Sequence, residues 1–250
     1  VTVFVKRHGA IAVVTINRPE VRNALDANTI AGIGSALQFA EEDTDVHAVV
    51  LTGAGDRAFC AGMDLRAFAS GASLSDDSRP GLESITQRTF PKPVIAAING
   101  AALAGGFELM LACDLAVAAE HATFGLPEVK RGLVAVGGGT NLPRRIPLAV
   151  ALELGLTGES INAARAFELG LVNRVVPAAQ LLAEALELAG LISRNGPLAL
   201  RITKELMLAQ ASGATPQELA PATARVLRSA DAKEGATAFA EKRVPRWTGV

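Results

Sequence analysis

Cysteine is scarce in this chain: only Cys60 and Cys113 occur in 250 residues. That excludes a disulfide framework and a cysteine-built metal centre, and it is the usage expected of reduced thiols in a cytoplasmic protein. Histidine is scarcer still for its chemistry. His8, His47 and His121 are scattered without metal-ligand spacing, so they are read as structural or surface residues and no metal is expected. Neither charge dominates, with 24 basic and 25 acidic residues and a net charge of −1. Nothing electrostatic therefore points to nucleic acid or an acidic membrane surface. No apolar run is long enough to span a bilayer. The N-terminus has no basic-then-apolar secretory pattern and enters strand-like alternation at once. What remains is an ordinary globular mixture, half hydrophobic and one-fifth charged.

The most informative stretch is Asn99-Gly100-Ala101-Ala102-Leu103-Ala104-Gly105-Gly106-Phe107-Glu108. Pro93-Val94-Ile95-Ala96-Ala97-Ile98 before it reads as a buried strand, and Leu109-Met110-Leu111-Ala112 after it is helix-prone. The glycines sit where a strand hands over to a helix. Backbone N–H groups there lack internal partners and carry partial positive charge, and glycine lets a ligand approach them. A negative oxygen is the natural guest. Glu108 follows in the first helical turn, so a carboxylate stands beside a candidate anion site. That pairing can hold an oxyanion and move a proton next to it.

Two further segments share this character. Ala48-Val49-Val50-Leu51-Thr52 reads as a strand and Gly53-Ala54-Gly55-Asp56 as a turn, ahead of Ala58-Phe59-Cys60-Ala61-Gly62-Met63-Asp64-Leu65. Phe124-Gly125-Leu126-Pro127-Glu128 sets a second carboxylate after a Gly-x-Pro turn. Taken singly, each has a bland reading: small residues in tight packing, or a solvated glutamate at a helix start.

Coarse periodicity gives a hairpin around Arg7-His8-Gly9, and a helix over 25–40 with Asp26 as its cap. Leu115-Ala116-Val117-Ala118 reads as a further strand. A Ser-, Gly- and Asp-rich loop is expected at 70–80. Strands alternating with helices imply a largely parallel sheet. After Thr157 an all-helical end is expected, starting with a helix capped by Asn162 and ended by Gly170. Further helices are expected over 180–194, 198–211, 217–227 and 232–242. The division expected is an α/β core over 1–192 and a helical oligomerisation region over 193–250. Those helices are too Ala- and Leu-rich to form a large core alone, so they should pack on another surface.

In order and spacing, these segments resemble the crotonase (enoyl-CoA hydratase/isomerase) superfamily. So do Ile16-Asn17-Arg18-Pro19-Glu20-Val21-Arg22-Asn23-Ala24-Leu25, Leu156-Thr157-Gly158 and Ala238-Phe239-Ala240-Glu241-Lys242-Arg243. The resemblance implies an α/β fold of repeated ββα units with a C-terminal helical region, assembled as a homotrimer or a hexamer of paired trimers. It implies an acyl-CoA thioester substrate, with CoA as part of that substrate and no separate cofactor. The backbone N–H groups of Met63 and Gly105 would form the oxyanion site, where losing one donor typically costs about 3–4 kcal/mol of barrier. Glu108 would activate water for attack on the β-carbon, and Glu128 would deliver a proton to the α-carbon. Val21, Arg22, Ala24, Ala61, Asp64 and Leu65 would follow the CoA, with Phe239 and Lys242 reaching it from a neighbouring subunit.

Three departures bear on the reaction. Ala104 stands for the first glycine of the family's Gly-Gly-Gly block. Ala135-Val136 replaces a Pro-Gly pair common in hydratase relatives, which suggests a narrowed pocket or a shifted catalytic water. Phe107 gives the Gly-Gly-Phe-Glu found in carnitinyl-CoA dehydratase-like members. Isomerase relatives often keep only the later carboxylate, so two glutamates favour hydration. The alternatives are an enoyl-CoA isomerase, a carnitinyl-CoA-type dehydratase and a non-catalytic acyl-CoA binder. The acyl pocket is expected to be shaped by loops 66–81 and 133–140.

Overall fold

A computed structural model describes residues 1–71 and 80–250; the remainder of the loops expected at 70–80 and 66–81 lies outside the described residues. The chain opens with the expected hairpin, β1 (Val3–His8) and β2 (Ile11–Ile16), paired antiparallel. Helix α1 (Ala27–Glu42) follows, its first turn closed by Asp26, whose carboxylate accepts the Thr29 N–H at 2.8 Å. Leu25 stays outside that helix because its backbone pairs with Met63 instead.

Three units then repeat one pattern, a long strand followed by a three-residue strand. They are β3 (Ala48–Gly53) with β4 (Ala58–Cys60), β5 (Val94–Ile98) with β6 (Ala101–Leu103), and β7 (Leu115–Ala119) with β8 (Thr123–Gly125). Helix α2 (Leu65–Ala69) follows the first unit, and α3 (Glu83–Thr86) precedes β5. Helix α4 (Gly105–Ala112) closes the second unit and a 3-10 turn over Pro127–Arg131 closes the third. This is the expected ββα repetition.

The long strands form one six-stranded sheet and the short ones a second, four-stranded sheet. In the large sheet β2, β3, β5, β7 and β10 (Arg174–Val176) run parallel. Both of its faces are buried, which explains why these strands read as continuous apolar runs rather than alternating ones. Ala12, Val14, Val49, Leu51, Ala96, Ile98, Ala116 and Ala118 face the main core, shared with α1 and α4. Their neighbours Ile11, Val13, Val50, Ile95, Ala97 and Val117 face α7 (Leu181–Ser193) through Leu181, Ala185 and Ala189.

The expected all-helical end after Thr157 needs correction. Helix α5 (Leu148–Thr157) leads into β9 (Ser160–Asn162), which joins the small sheet beside β8. Helix α6 (Ala163–Glu168), capped by Asn162, leads to β10 at the edge of the large sheet. Three-residue strands are too short to show a periodicity against flanking helical signals. Helices α8 (Pro197–Ala211), α9 (Pro216–Leu227) and α10 (Ala230–Glu241) do form a helical end. Among the described residues, no helix is long and apolar enough to cross a membrane.

Candidate active site

The site forms where the two sheets meet the start of α4. Buried Asn99 locks the turns that carry the chain from one sheet to the other: its Oδ1 accepts the Gly53 N–H, and its Nδ2 donates to the Gly55 and Ala58 carbonyls. Asn23, fully buried, adds Nδ2 donation to the Ala54 and Ala58 carbonyls. Gly106 then lies directly on β4. A methyl there would sit 1.9 Å from the Cys60 carbonyl oxygen, so only glycine lets α4 start this close.

That closeness sets two amides side by side. Leu25 donates to the Gly62 carbonyl at 2.7 Å and accepts from the Asp64 N–H at 2.9 Å, which is the parallel bridge pattern that turns the intervening Met63 N–H away. Across from it, Ala104 adopts φ 52°, ψ −129°, a conformation costly for any residue with a Cβ. Ala104 therefore sits directly before the Gly105 amide and aims it. Neither the Met63 nor the Gly105 N–H donates to a protein acceptor among the described residues. Two unused donors beside a helix start are chemically suited to receive a negative oxygen.

Glu108 projects from the first turn of α4 and is buried, 7% exposed. One carboxylate oxygen, Oε1, accepts the Gly139 N–H at 2.8 Å. Burial pushes the Glu108 carboxyl above the usual range, against the pull of the Gly139 and Gly137 N–H groups. Glu128 stands in the first turn of the Pro127–Arg131 segment, half-buried, with its Oε2 enclosed and unpartnered among the described residues. Burial raises its carboxyl as well. Its own backbone N–H works the other way, and the Glu108 charge adds to the upward push. Two nearby carboxyls, each shifted above the usual carboxylate range by burial, are the kind of groups that can exchange protons with a bound molecule.

The loop after Glu128 does not act as its sequence suggests. Val136 is 80% exposed, so its side chain turns to solvent and does not narrow the site. The glycines that follow hold Glu108 instead. A methyl on Gly137 would lie 2.7 Å from Glu108 Oε2, and one on Gly139 would lie 3.1 Å from Oε1. Neither glycine was singled out from sequence, since nothing local ties them to a carboxylate some thirty positions earlier. Phe107 is also no part of the site. It is fully buried and packs on Phe124 at a ring separation of 5.9 Å.

The segments carrying the expected CoA-following residues 21–24 and 61–65 lie side by side, although Ala24 itself is buried. Ala61 donates to the Arg22 carbonyl at 3.1 Å, and Ala24 donates to that of Val21 at 3.2 Å. Arg22 lines a shallow 560 Å³ recess with Arg57 and His121. Asp64 is committed elsewhere: its carboxylate caps α2, whose first residue is the exposed Leu65, and pairs with Arg18 at 3.1 Å. Burial works upward on it, but the Ala67 N–H and Arg18 hold it below the usual range. Phe239, 87% exposed, and Lys242 sit at the end of α10, and neither lines the cavity that contains Glu108. Both cysteines are free and buried. Burial pushes the Cys60 thiol up to about 12, so it is no nucleophile.

Glu108 opens onto a cavity of about 1120 Å³ between α4, the 86–91 segment, the 137–145 loop and helices α8 and α9. Its wall carries Arg88, Arg144, Arg145, Arg201, Lys204 and Arg225, none of which was picked out from sequence.

A family model described as Enoyl-CoA hydratase/isomerase matches residues 6–250. Among similar proteins, a carnitinyl-CoA dehydratase of Proteus mirabilis is 41% identical over 251 residues, 96% of each chain. One from Salmonella typhi is 41% identical over 255 residues, 97% of each. Among solved structures, an enoyl-CoA hydratase from Mycobacterium tuberculosis H37Rv superposes with a TM-score of 0.93 at 47% identity, covering 100% of this chain and 99% of its own. A carnitinyl-CoA hydratase from Mycobacterium avium gives 0.78 at 43% identity with the same coverage.

Proposed function

The chain belongs to the enoyl-CoA hydratase/isomerase family, and from that premise we propose that it reversibly adds water across the double bond of a 2-enoyl-CoA thioester. The observation that carries this is the pairing of two upward-shifted carboxyls, Glu108 and Glu128, beside the unused N–H groups of Met63 and Gly105. In the reaction, Glu108 takes a proton from water as the water oxygen bonds to the β-carbon. Electron density moves onto the thioester oxygen, where the Met63 and Gly105 N–H groups receive it. Glu128 then gives its proton to the α-carbon, and dehydration runs the same steps backwards. Met63 and Gly105 act through their backbones, so the Met63 side chain is free to vary.

A dehydratase acting on a substituted 3-hydroxyacyl-CoA uses the same groups, and the names of the similar dehydratases favour that direction. Isomerase activity ranks below both, because it needs only one of the two carboxyls. In a trimer or a dimer of trimers, the exposed Phe239 and nearby Lys242 of one copy would reach the CoA of another. The test is loss of the conjugated thioester absorbance of crotonyl-CoA, with Glu108→Gln and Glu128→Gln beside the native protein. Slowing of both variants by about a hundredfold or more is expected for removal of a general acid or base. Equal turnover in all three would sink the reading.

A further inference from the structure

The cavity behind Glu108 holds more positive charge than the hydration chemistry uses. Its carboxylates are Glu108, Asp114 and Glu205, against the six cations named above. Asp114 is shared by Lys204 at 2.7 Å and Arg88 at 3.5 Å. Among the described residues, the Arg145 side chain hydrogen-bonds only to the Leu111 carbonyl, at 3.4 Å, and that of Arg201 only to the Gly249 carbonyl, at 3.1 Å. Among the described residues, Arg144 and Arg225 have neither an ion pair nor a hydrogen bond, and Arg88 Nε and Arg201 Nε are buried without acceptors. Burial first, then the neighbouring Arg88 charge, presses Arg145 below the usual arginine range. Cations crowded in a concave site without matching carboxylates create a field that draws in an anion, and guanidinium forks suit a carboxylate.

The position of this charge shows which anion. No ion pair joins these cations to Glu108 among the described residues, so they do not serve its carboxylate. Arg88 and Arg145 both meet the Leu111 carbonyl, three residues beyond Glu108 and so about 4.5 Å further along α4. With the β-carbon placed at Glu108, which lines the same cavity, a group held there would lie a few carbons further along the acyl chain. We propose that this protein prefers acyl chains whose far end carries a carboxylate, an ω-carboxy-2-enoyl-CoA or its hydrated form, with the Arg88, Arg145 and Arg225 cations of the cavity wall holding that carboxylate. This rests on the hydratase reading above. It sets the substrate apart from the acyl group of carnitinyl-CoA, whose trimethylammonium end these cations would repel.

Three 2-enoyl-CoA probes test it: trans-2-hexenoyl-CoA, its six-carbon analogue ending in a carboxylate, and the four-carbon chain ending in trimethylammonium. The expected kcat/KM is at least about tenfold higher for the carboxylate chain than for the methyl-ended chain, and lowest for the ammonium chain. Arg145→Met and, on a separate helix, Arg225→Met should each bring the carboxylate-to-methyl ratio towards one, an internal ratio that a general loss of folded protein does not move. Binding of the saturated adipoyl-CoA and hexanoyl-CoA, followed by calorimetry, reads the subsite without turnover. Inorganic phosphate should compete with adipoyl-CoA and not with hexanoyl-CoA. Hydration of the methyl-ended chain with no carboxylate preference would overturn this proposal and leave the hydratase reading standing. Tighter adipoyl-CoA binding without hydration of any probe would uphold the subsite and overturn the reaction. Phosphate bound alongside adipoyl-CoA without competition would place the anion apart from the acyl chain and refute the assignment.

Discussion

Gly137→Ala perturbs the site without touching a reacting group. A methyl at this position would stand 2.7 Å from Glu108 Oε2 and 3.2 Å from its Cδ. Ordinary contact needs about 3.4–4 Å, so the carboxylate must retreat by about 1 Å. The obstacle is the end of a flexible side chain, and Gly137 does not occupy a positive-φ conformation. Stability should therefore change little, by about 1 kcal/mol or less. Catalysis is less forgiving, since a displacement of about 1 Å can cost about a hundredfold in rate, or about 2.7 kcal/mol of barrier. The fall should appear in kcat more than in KM, because the CoA portion binds elsewhere. The pH profile should move as well. The Gly137 N–H favours ionised Glu108, so weakening that contact while adding an apolar methyl raises the carboxyl further. The acid limb of the kcat/KM profile then shifts to higher pH. Crotonyl-CoA hydration across a pH series, with thermal unfolding alongside, reads all three quantities. A variant within about threefold of native kcat, with an unmoved acid limb, would show that the 137–139 loop does not hold Glu108 in place.

Glu128→Gln separates stability from activity. A carboxyl whose folded pKa is raised contributes stability that is complete below its unfolded pKa and is lost as pH rises through the folded value. The amide has nothing to lose, so the variant should melt higher than native protein at about pH 8, with the gain shrinking towards about pH 4. A gain independent of pH would refute the cause assigned. Ala104→Gly should relieve about 1–3 kcal/mol of backbone strain while restoring about 0.4–1 kcal/mol of unfolded-chain entropy. The expected net is about 1 kcal/mol of stabilisation, or about 2–4 °C in Tm, with kcat within about threefold because the Gly105 amide is kept. A lower Tm would contradict the strain.

What could be read from sequence was what local chemistry writes down. Val49–Leu51 and Val94–Ile98 are apolar without interruption because both faces of their sheet are covered, and an apolar run of that length bounded by turn residues is unambiguous. Asp26 and Asn162 announced their helices because a cap acts within three residues. β4, β6, β8, β9 and β10 each span three residues, and at that length β-pairing is decided by what lies alongside. The same divide runs through the site. Glu108 and Gly105 belong to one strand-to-helix turn and declare themselves together. The clamp at Gly137 and Gly139 belongs to another segment, and the glycines there have no local reason to be functional. Ala135-Val136 misleads for the converse reason. Its difference from relatives is visible in sequence, but only packing reveals that Val136 faces solvent. Phe107 pointed to the carnitinyl-CoA dehydratases that the chain does resemble, although its ring packs on Phe124 outside the site.

The cationic cavity extends that divide to specificity. Its arginines come from the 86–91 segment, the 137–145 loop, α8 and α9, and none of these segments is basic enough alone to attract notice in a chain of net charge −1. Charge balance over the whole chain thus coexists with a strong local imbalance, and the local one is what a bound ligand would meet. Hydration and its reverse would run over the same two proposed carboxyls, so fold and reacting groups alone cannot tell one acyl substrate from another. The far end of the acyl chain can. A trimethylammonium group and a carboxylate differ by two charges at one point in space, and a wall of guanidiniums there discriminates by sign. On this proposal the acyl specificity would be set by α8, α9 and the loop before α5 rather than by the strand-to-helix turn that carries Glu108.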